Sequence, residues 1–331
     1  MPIKLPALLR PSTRAFIKEA RQTPGFSLLD FVHGYVYGRW PYLYISLGTG
    51  RHPLSKELAP LAGRLLEFIA QRKPGAGGDH QGGQAMGENL AHGYHGKVVP
   101  LEAAKQLVQV REEIAMPDLE NIIPYERARA LILHNPQHII ALDCPCRVAR
   151  PNPCTPVDVC LVIGEPFASF ILEHQPNHTR WINSDEAVAI LKAEDERGHV
   201  HHAFFKDAML GRFYAICNCC ACCCGAMQAH HAGVPMLASS GYLAAVDPDL
   251  CLACGACVEN CQFTAISQAG ALPAQIDQAR CMGCGVCVNQ CPNTALTLQR
   301  APAKGEPLEI LSLMEKAGRA HPQHLLDAGP V

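Results

Sequence analysis

The order of apolar and polar positions predicts a helical first part of the chain. Apolar side chains recur at steps of three to four residues, the spacing of an amphipathic helix, in residues 12–20, 55–72, 100–110 and 118–134. The last of these helices is expected to be interrupted near Pro124. Residues 73–87 hold six glycines and no apolar period, which predicts a linker or a long loop.

From residue 136 onward the pattern predicts strands and one helix. Short apolar runs typical of buried strands lie at 138–142, 157–163, 200–205 and 213–216. Asn183 and Glu186 have the spacing of a helix N-terminal capping pair, and the helix after them is expected to end at Gly198. The middle of the chain is therefore predicted to be a small α+β unit.

Composition and charge narrow the classes of function. The 331 residues are 48% hydrophobic and 18% charged, which excludes a largely disordered chain. A net charge of -2 offers no basic surface for nucleic acid. The first residues contain no apolar core of a secretory signal, and no stretch approaches the length of a membrane span, so we expect a cytoplasmic protein.

The cysteine content changes this picture, because all 18 cysteines lie between Cys144 and Cys291. In a reducing compartment, dense thiols are typical of metal ligands rather than of disulfides. Eight of them form two copies of an eleven-residue block with the spacing C-x2-C-x2-C-x3-C, which begin at Cys251 and at Cys281. Six of the eleven positions are identical, which indicates an internal duplication and two similar half-units.

The double block resembles the bacterial ferredoxins that hold two 4Fe–4S clusters, in which the fourth cysteine of each run binds the other cluster. The resemblance covers about residues 244–297. It implies one cluster on Cys251, Cys254, Cys257 and Cys291, and a second on Cys281, Cys284, Cys287 and Cys261. One position departs from the family: Gln262 follows Cys261, whereas Pro292 follows Cys291 as the family pattern has it. Two zinc sites are the alternative, which we disfavour because zinc knuckles usually come as separated pairs.

Ten further cysteines lie outside the repeat: Cys144, Cys146, Cys154, Cys160, Cys217, Cys219, Cys220, Cys222, Cys223 and Cys224. All but Cys154 and Cys224 are taken as candidate metal ligands. They suffice for one or two further 4Fe–4S clusters, with zinc or metal-free redox thiols as alternatives. Neighbouring residues on an extended chain point to opposite sides, so the pairs Cys219–Cys220 and Cys222–Cys223 are each predicted to serve two different sites. Residues 144–147 and 216–224 resemble ferredoxin-domain proteins of anaerobes, which implies cluster binding.

Arg147 directly follows Cys146 and is the candidate catalytic residue, because its charge would hold an anionic substrate or raise the potential of a nearby cluster. A structural ion pair is the alternative. Five histidines flank the cysteine-rich segment, and each is expected to be exposed or hydrogen-bonded rather than a ligand: His199, His201, His202, His230 and His231. Seven aromatic residues within 26–44 are expected to pack against the rest of the protein, with a partner interface or a membrane surface as the alternative.

These observations predict an α+β fold class. Its segments are a helical, aromatic-rich N-terminal region at 1–72, a linker or loop at 73–87, a helical segment at 88–135, a cysteine-rich α/β domain at 136–243, a two-cluster ferredoxin domain at 244–299 and a tail at 300–331. The leading hypothesis is an iron–sulfur electron-transfer protein or subunit that serves a redox partner or an enzyme complex. A reductase acting on a small substrate at a middle-domain cluster or thiol pair, and a redox sensor, are the alternatives. The low charged fraction favours an oligomer or assembly.

Overall fold

A computed structural model describes residues 9–55, 57 and 91–316. The helix predicted at 55–72 lies outside these residues except for Ser55 and Glu57. The glycine-rich segment at 73–87 and residues 317–331 of the tail also lie outside them. Among the described residues, no helix has the length and hydropathy that a membrane crossing requires.

An eight-stranded sheet forms the centre of the protein. Its strands are β1 (Tyr94–Val98), β2 (Ile114–Met116), β3 (Leu131–Leu142), β4 (Cys160–Glu165), β5 (Thr179–Ile182), β6 (Val200–Lys206), β7 (Arg212–Cys219) and β8 (Leu237–Ala238). The strand order is β2-β3-β4-β7-β6-β1-β8, and β5 pairs with the last residues of β3. All pairs are antiparallel except β1 with β8. The predicted strands at 138–142, 200–205 and 213–216 are confirmed, and the run at 157–163 becomes a strand only from Cys160.

Helices cover this sheet and connect its strands. They are α1 (Pro11–Gln22), α2 (Leu28–Arg39), α3 (Pro41–Gly48), α4 (Leu101–Val108), α5 (Pro145–Val148), α6 (Phe167–His174), α7 (Ser184–Glu196) and α8 (Gly225–His231). Helix α7 begins where it was predicted, because the Asn183 side chain accepts a hydrogen bond from the backbone N–H of Glu186 at 2.8 Å. Helix α6 packs on β4, and α7 packs on β6 and β7.

The aromatic residues of the N-terminal helices mostly pack inward, as predicted. Phe16 of α1 is fully buried, and its ring centroid lies 5.3 Å from that of Phe170 in α6. Tyr37 of α2 shares a 2.7 Å hydrogen bond between hydroxyl groups with Tyr214 of β7. Buried aromatic pairs of this kind add stabilisation beyond the area they cover. The N-terminal helices are therefore part of the central packing.

The helix predicted at 118–134 is wrong. Residues 117–130 form turns and loops, and β3 starts at Leu131. Leu131 and Leu133 are buried on alternate positions and pair with β2, so the apolar pattern there has the period of a strand. Ile122 and Ile123 are buried from this loop, and the Pro124 that follows them has no N–H to continue a helix. The segment 88–135, predicted to be helical, thus also supplies strands.

The C-terminal part, called the ferredoxin half after the resemblance of its two cysteine blocks, consists of two similar units. Its elements are β9 (Tyr242–Val246), α9 (Ala256–Glu259), β10 (Ile266–Ser267), β11 (Gln275–Ile276), α10 (Val286–Asn289), β12 (Leu296–Arg300), a 3-10 turn (Pro302–Lys304) and α11 (Ile310–Lys316). Strand β9 pairs with β12, and β10 pairs with β11. Helices α9 and α10 follow Gly255 and Gly285, whose φ angles of 80° and 87° favour glycine.

Candidate metal centres

Four strand ends meet at one edge of the central sheet. Strands β3 and β7 end there, at Leu142 and Cys219, and the antiparallel strands β4 and β6 begin there. The register pairs Leu142 with Cys160, and Val200 with Cys219. This pairing brings together cysteines that are far apart in the sequence, and it divides the ten middle-domain thiols into two groups.

The six-thiol group comprises Cys144, Cys146, Cys160, Cys217, Cys219 and Cys224. Four of these residues are buried, and none is exposed. Their side chains interact in a continuous series, from Cys217 through Cys160, Cys144, Cys146 and Cys224 to Cys219. Six adjacent thiols, none of them exposed, fit a soft metal or an iron–sulfur cluster, since thiolate is the ligand that both select.

The pKa values of Cys146 and Cys219 are lowered, and those of the other four thiols in this series are raised. Hydrogen bonds from Cys144 and Cys224 lower the pKa of Cys146, and Arg51 favours its thiolate further. A hydrogen bond from Cys224, aided by the nearby His202 ring, lowers the pKa of Cys219 to about 6. The donating thiols of Cys144 and Cys224 have raised pKa values because of those same hydrogen bonds. Two members thus favour the thiolate form that binds metal.

His202 is the histidine that departs from expectation. It lies opposite Cys217 in the register of β6 and β7 and is fully buried. Neither ring nitrogen has a nitrogen or oxygen hydrogen-bond partner among the described residues, although the Cys219 thiol lies beside the ring. By contrast, His199 and His201 are hydrogen-bonded as predicted, with Glu194 at 2.7 Å and with Asn218 at 2.6 Å. A buried imidazole whose hydrogen-bonding neighbour among the described residues is a thiol suits a group held by the six thiols.

Arg147 forms the ion pair that the sequence left as an alternative. Its guanidinium is buried and bonds to the Glu194 carboxylate, to the Pro156 carbonyl oxygen and, at 3.1 Å, to the Asn218 carbonyl oxygen. Burial lowers the pKa of Arg147, but the bond and charge of Glu194 outweigh burial, so the pKa is raised. Both terminal nitrogens are therefore already bonded to protein groups. Arg147 is a fixed cation inside the protein, and this geometry does not favour substrate binding by it.

The position of Arg147 relates it to the six-thiol group. Electrostatic interactions with Cys144 and Cys160 contribute to its raised pKa, which shows that the guanidinium lies near those two thiols. Its Nε has no hydrogen-bond partner among the described residues. A cation held in this way stabilises thiolates and any anionic cluster that they bind.

The four-thiol group comprises Cys154, Cys220, Cys222 and Cys223. Their sulfur atoms all lie within 4.8 Å of one another, an arrangement that could hold a metal ion. The neighbours Cys219 and Cys220 belong to different groups, as predicted. Cys222 and Cys223 share this one, so that part of the prediction is wrong, because the chain turns after Cys220.

Cys154 and Cys224 were not predicted to be ligands. Cys154 nevertheless belongs to the four-thiol group, and Cys224 belongs to the six-thiol group. Cys154 lies alone between prolines, with no second cysteine at a ligand spacing. Cys224 ends a run of three cysteines, where spacing does not distinguish one thiol from the next. Strand pairing and the turn after β7 are the features that place both.

In the ferredoxin half, the structure brings together both predicted sets of cysteines. Cys251, Cys254, Cys257 and Cys291 line one small cavity. In the second set, burial together with the nearby Cys261 and Cys281 raises the pKa of the Cys284 thiol to about 12. The fourth cysteine of each block therefore faces the other block.

Equivalent backbone groups approach the crossing cysteines in both blocks. The N–H of Ala265 donates to Cys261 Sγ and the N–H of Ala295 donates to Cys291 Sγ, each at 3.3 Å. Such N–H bonds stabilise the thiolate form and tune the potential of a bound cluster. The close packing depends on Gly283, where a Cβ would lie 2.2 Å from the Tyr242 carbonyl oxygen.

The ferredoxin half docks onto the cysteine-rich edge through side-chain hydrogen bonds. Gln262, which replaces the family's proline, accepts a bond from the backbone N–H of Ala221 at 2.9 Å. Its carbonyl oxygen lies 3.0 Å from Nε2 of His231. On the other side, Asn289 donates to the Asp195 carboxylate at 2.8 Å. The departure from the ferredoxin pattern thus has a structural reason: glutamine reaches the loop of the four-thiol group.

Comparison with known proteins agrees with this geometry. Residues 244–267 and 274–297 each match the family model described as a 4Fe-4S binding domain. The C-terminal part of the chain therefore carries two tandem motifs of the iron–sulfur class, and this domain implies 4Fe–4S clusters. No curated protein matches the chain. The resemblance of the middle domain to proteins of anaerobes stays a prediction.

Proposed function

We propose that this protein transfers single electrons through iron–sulfur clusters. Two 4Fe–4S clusters would be held in the ferredoxin half by the two crossed cysteine sets, and a third by the six-thiol group. Clusters of this type supply one-electron chemistry over a wide range of potentials. The observation that carries the proposal is the docking of the ferredoxin half on the sheet edge where the buried thiols meet, which makes the three thiol sets one packed body.

The protein side chains would hold and tune these groups. Burial of the six-thiol group keeps water and small oxidants away from it. Arg147, fixed by Glu194 inside the protein, places a positive charge near Cys144 and Cys160. A positive charge favours the reduced, more negative form of a cluster and thus raises its potential. Arg147 would accordingly tune the potential of this cluster through its fixed position.

A redox partner would approach the exposed end of the ferredoxin half. Cys254 is exposed, and Leu252, two residues before it, has 68% of its surface accessible. An apolar side chain beside an exposed ligand suits a transient redox contact, which is typically small. All 18 cysteines are free of disulfides. This supports a reducing compartment, for which we propose the cytoplasm.

The test is a count of iron, acid-labile sulfide and electrons on the full chain purified without oxygen. Three clusters predict about twelve sulfides per chain and uptake of about three electrons from dithionite. Cys160→Ser, in the six-thiol group, should lose about four irons and one electron and keep the spectrum of the ferredoxin half. Only about eight irons and two electrons in the wild type, unchanged in Cys160→Ser, would exclude the third cluster. No electron uptake at all would exclude the function.

A further inference from the structure

We infer that the four-thiol group binds one metal ion in tetrahedral coordination, as a site distinct from every iron–sulfur cluster. The sulfur of Cys154 lies 3.2 Å from that of Cys222, 3.7 Å from that of Cys220 and 3.8 Å from that of Cys223. The sulfurs of Cys222 and Cys223 are 3.7 Å apart. A tetrahedral ion with metal–sulfur bonds of about 2.3 Å needs sulfurs about 3.8 Å apart.

These distances do not suit a 4Fe–4S cluster. In a cubane each thiolate binds a different iron and points away from the centre, so the sulfurs are separated by the cluster as well as by two iron–sulfur bonds. The four sulfurs here all lie within 4.8 Å of one another. Four thiolates around a single ion characterise zinc sites and mononuclear iron, which share this ligand chemistry.

The segments around the four thiols support a structural metal site, in which the protein supplies every ligand. Cys220, Cys222 and Cys223 come from one turn after β7, and Cys154 comes from a loop before β4. An ion on these ligands would join two segments that are distant in the chain, and its binding free energy would stabilise the fold. No fifth ligand is needed, since four thiolates complete a structural site.

Other contacts already shape the same turn. The Arg51 guanidinium donates to the Cys223 carbonyl oxygen at 3.0 Å, and the Gln228 amide donates to that of Cys222 at 2.9 Å. Between the ligands, the N–H of Ala221 donates to Gln262 of the ferredoxin half. The ion would therefore fix the surface on which the ferredoxin half docks. This inference is independent of whether the six-thiol group holds a cluster.

The test measures zinc, iron and acid-labile sulfide per chain in the wild type, Cys222→Ser and Cys154→Ser, all full-length and purified without oxygen. Cys222 is the exposed member, so its substitution disturbs the packing least. We expect both variants to lose one ion per chain with sulfide unchanged, because a mononuclear site contains no sulfide. The metal that is lost identifies the ion as zinc or iron.

Gln262→Ala is the matched control, because it touches the same turn without supplying a thiol. It should retain the ion. Two results would overturn the inference: joint loss of about four irons and four sulfides, which indicates a cubane, or a metal content that neither cysteine variant changes. The sulfide count separates this outcome from failure of the electron-transfer proposal, since only the clusters carry sulfide.

Discussion

The ferredoxin half and the cysteine-rich edge of the sheet both gather thiols, but by different means. In the ferredoxin half, three cysteines of each set lie within seven residues, and one tight turn presents them together. At the sheet edge, the six-thiol group draws on the loop after β3, helix α5, the start of β4, the end of β7 and the turn before α8. The spacing of cysteines along the sequence therefore identifies metal ligands only where a single turn supplies most of them.

The two regions also differ in the charges around their thiols. Arg147 and Arg51 lie close to the six-thiol group and favour thiolate there. For Cys284 of the ferredoxin half, by contrast, the nearby charge is negative: the carboxylate of Asp195 in α7 contributes to the raised pKa of this thiol. Because cations raise and anions lower the potential of a nearby cluster, we expect a higher potential for the six-thiol group.

The largest expected effect tests the crossed arrangement of the ferredoxin half. Cys291→Ser and Cys254→Ser should remove the same cluster, because these residues line the same cavity although they belong to different blocks. Each should lower the iron content by about four per chain, and the remaining electron paramagnetic resonance spectrum should be the same for both. Cys261→Ser should remove the other cluster. Different residual spectra for Cys291→Ser and Cys254→Ser would contradict the crossing.

The next effect concerns the buried ion pair beside the six-thiol group. Arg147→Ala leaves the carboxylate of the fully buried Glu194 without its main cation, and breaking such a pair costs about 3–5 kcal/mol. The measurement is the free energy of unfolding in denaturant, without oxygen. Arg180→Ala is the matched control: Arg180 pairs with Asp158 and Glu186 at the surface, where the cost is at most about 1 kcal/mol. Equal losses in the two variants would contradict a structural role for Arg147.

The smallest expected effect concerns a buried lysine of the central sheet, whose pKa is influenced by a charge in the ferredoxin half. Lys97 of β1 is 1% exposed and donates to the Ile122 carbonyl oxygen at 2.9 Å. Burial, together with the charge of Arg300 in the ferredoxin half, lowers its pKa to about 7. Between pH 7 and about 10 the unfolded chain therefore holds a proton that the folded chain has lost.

It follows that the free energy of unfolding rises with pH across this window, by up to about 1.4 kcal/mol per unit from Lys97. Lys97→Met cannot titrate and should lack this contribution. The measurement is denaturant unfolding of both proteins at several pH values between 7 and 10, and the difference between them cancels the other titrating groups. Parallel curves for the wild type and the variant would show that Lys97 keeps its usual pKa in the fold.

Much of the local structure could be predicted from the sequence. The errors lie where the same apolar positions fit both helical and strand spacing. The cap at Asn183 and the apolar positions after it predicted α7 correctly, because a helix start depends on neighbours in the chain. The helix predicted at 118–134 was wrong because Ile122 and Ile123 have helical spacing, although they are buried from a loop. Which residue covers a core from a loop depends on partners that are distant in the sequence.

The sequence by itself determined the duplicated ferredoxin motif, since the ligands of each cluster lie mainly in one short turn whose spacing sets their geometry. Only the tertiary structure decided how the other ten thiols divide. Antiparallel pairing of β3, β4, β7 and β6 assigned six to one buried group, and the turn after β7 directed three others toward Cys154. The tertiary structure also brought Gln262 to the backbone N–H of Ala221 and paired Arg147 with Glu194. The physical reason is that strand pairing and burial are set by contacts between residues far apart in the chain, which spacing along the sequence does not encode.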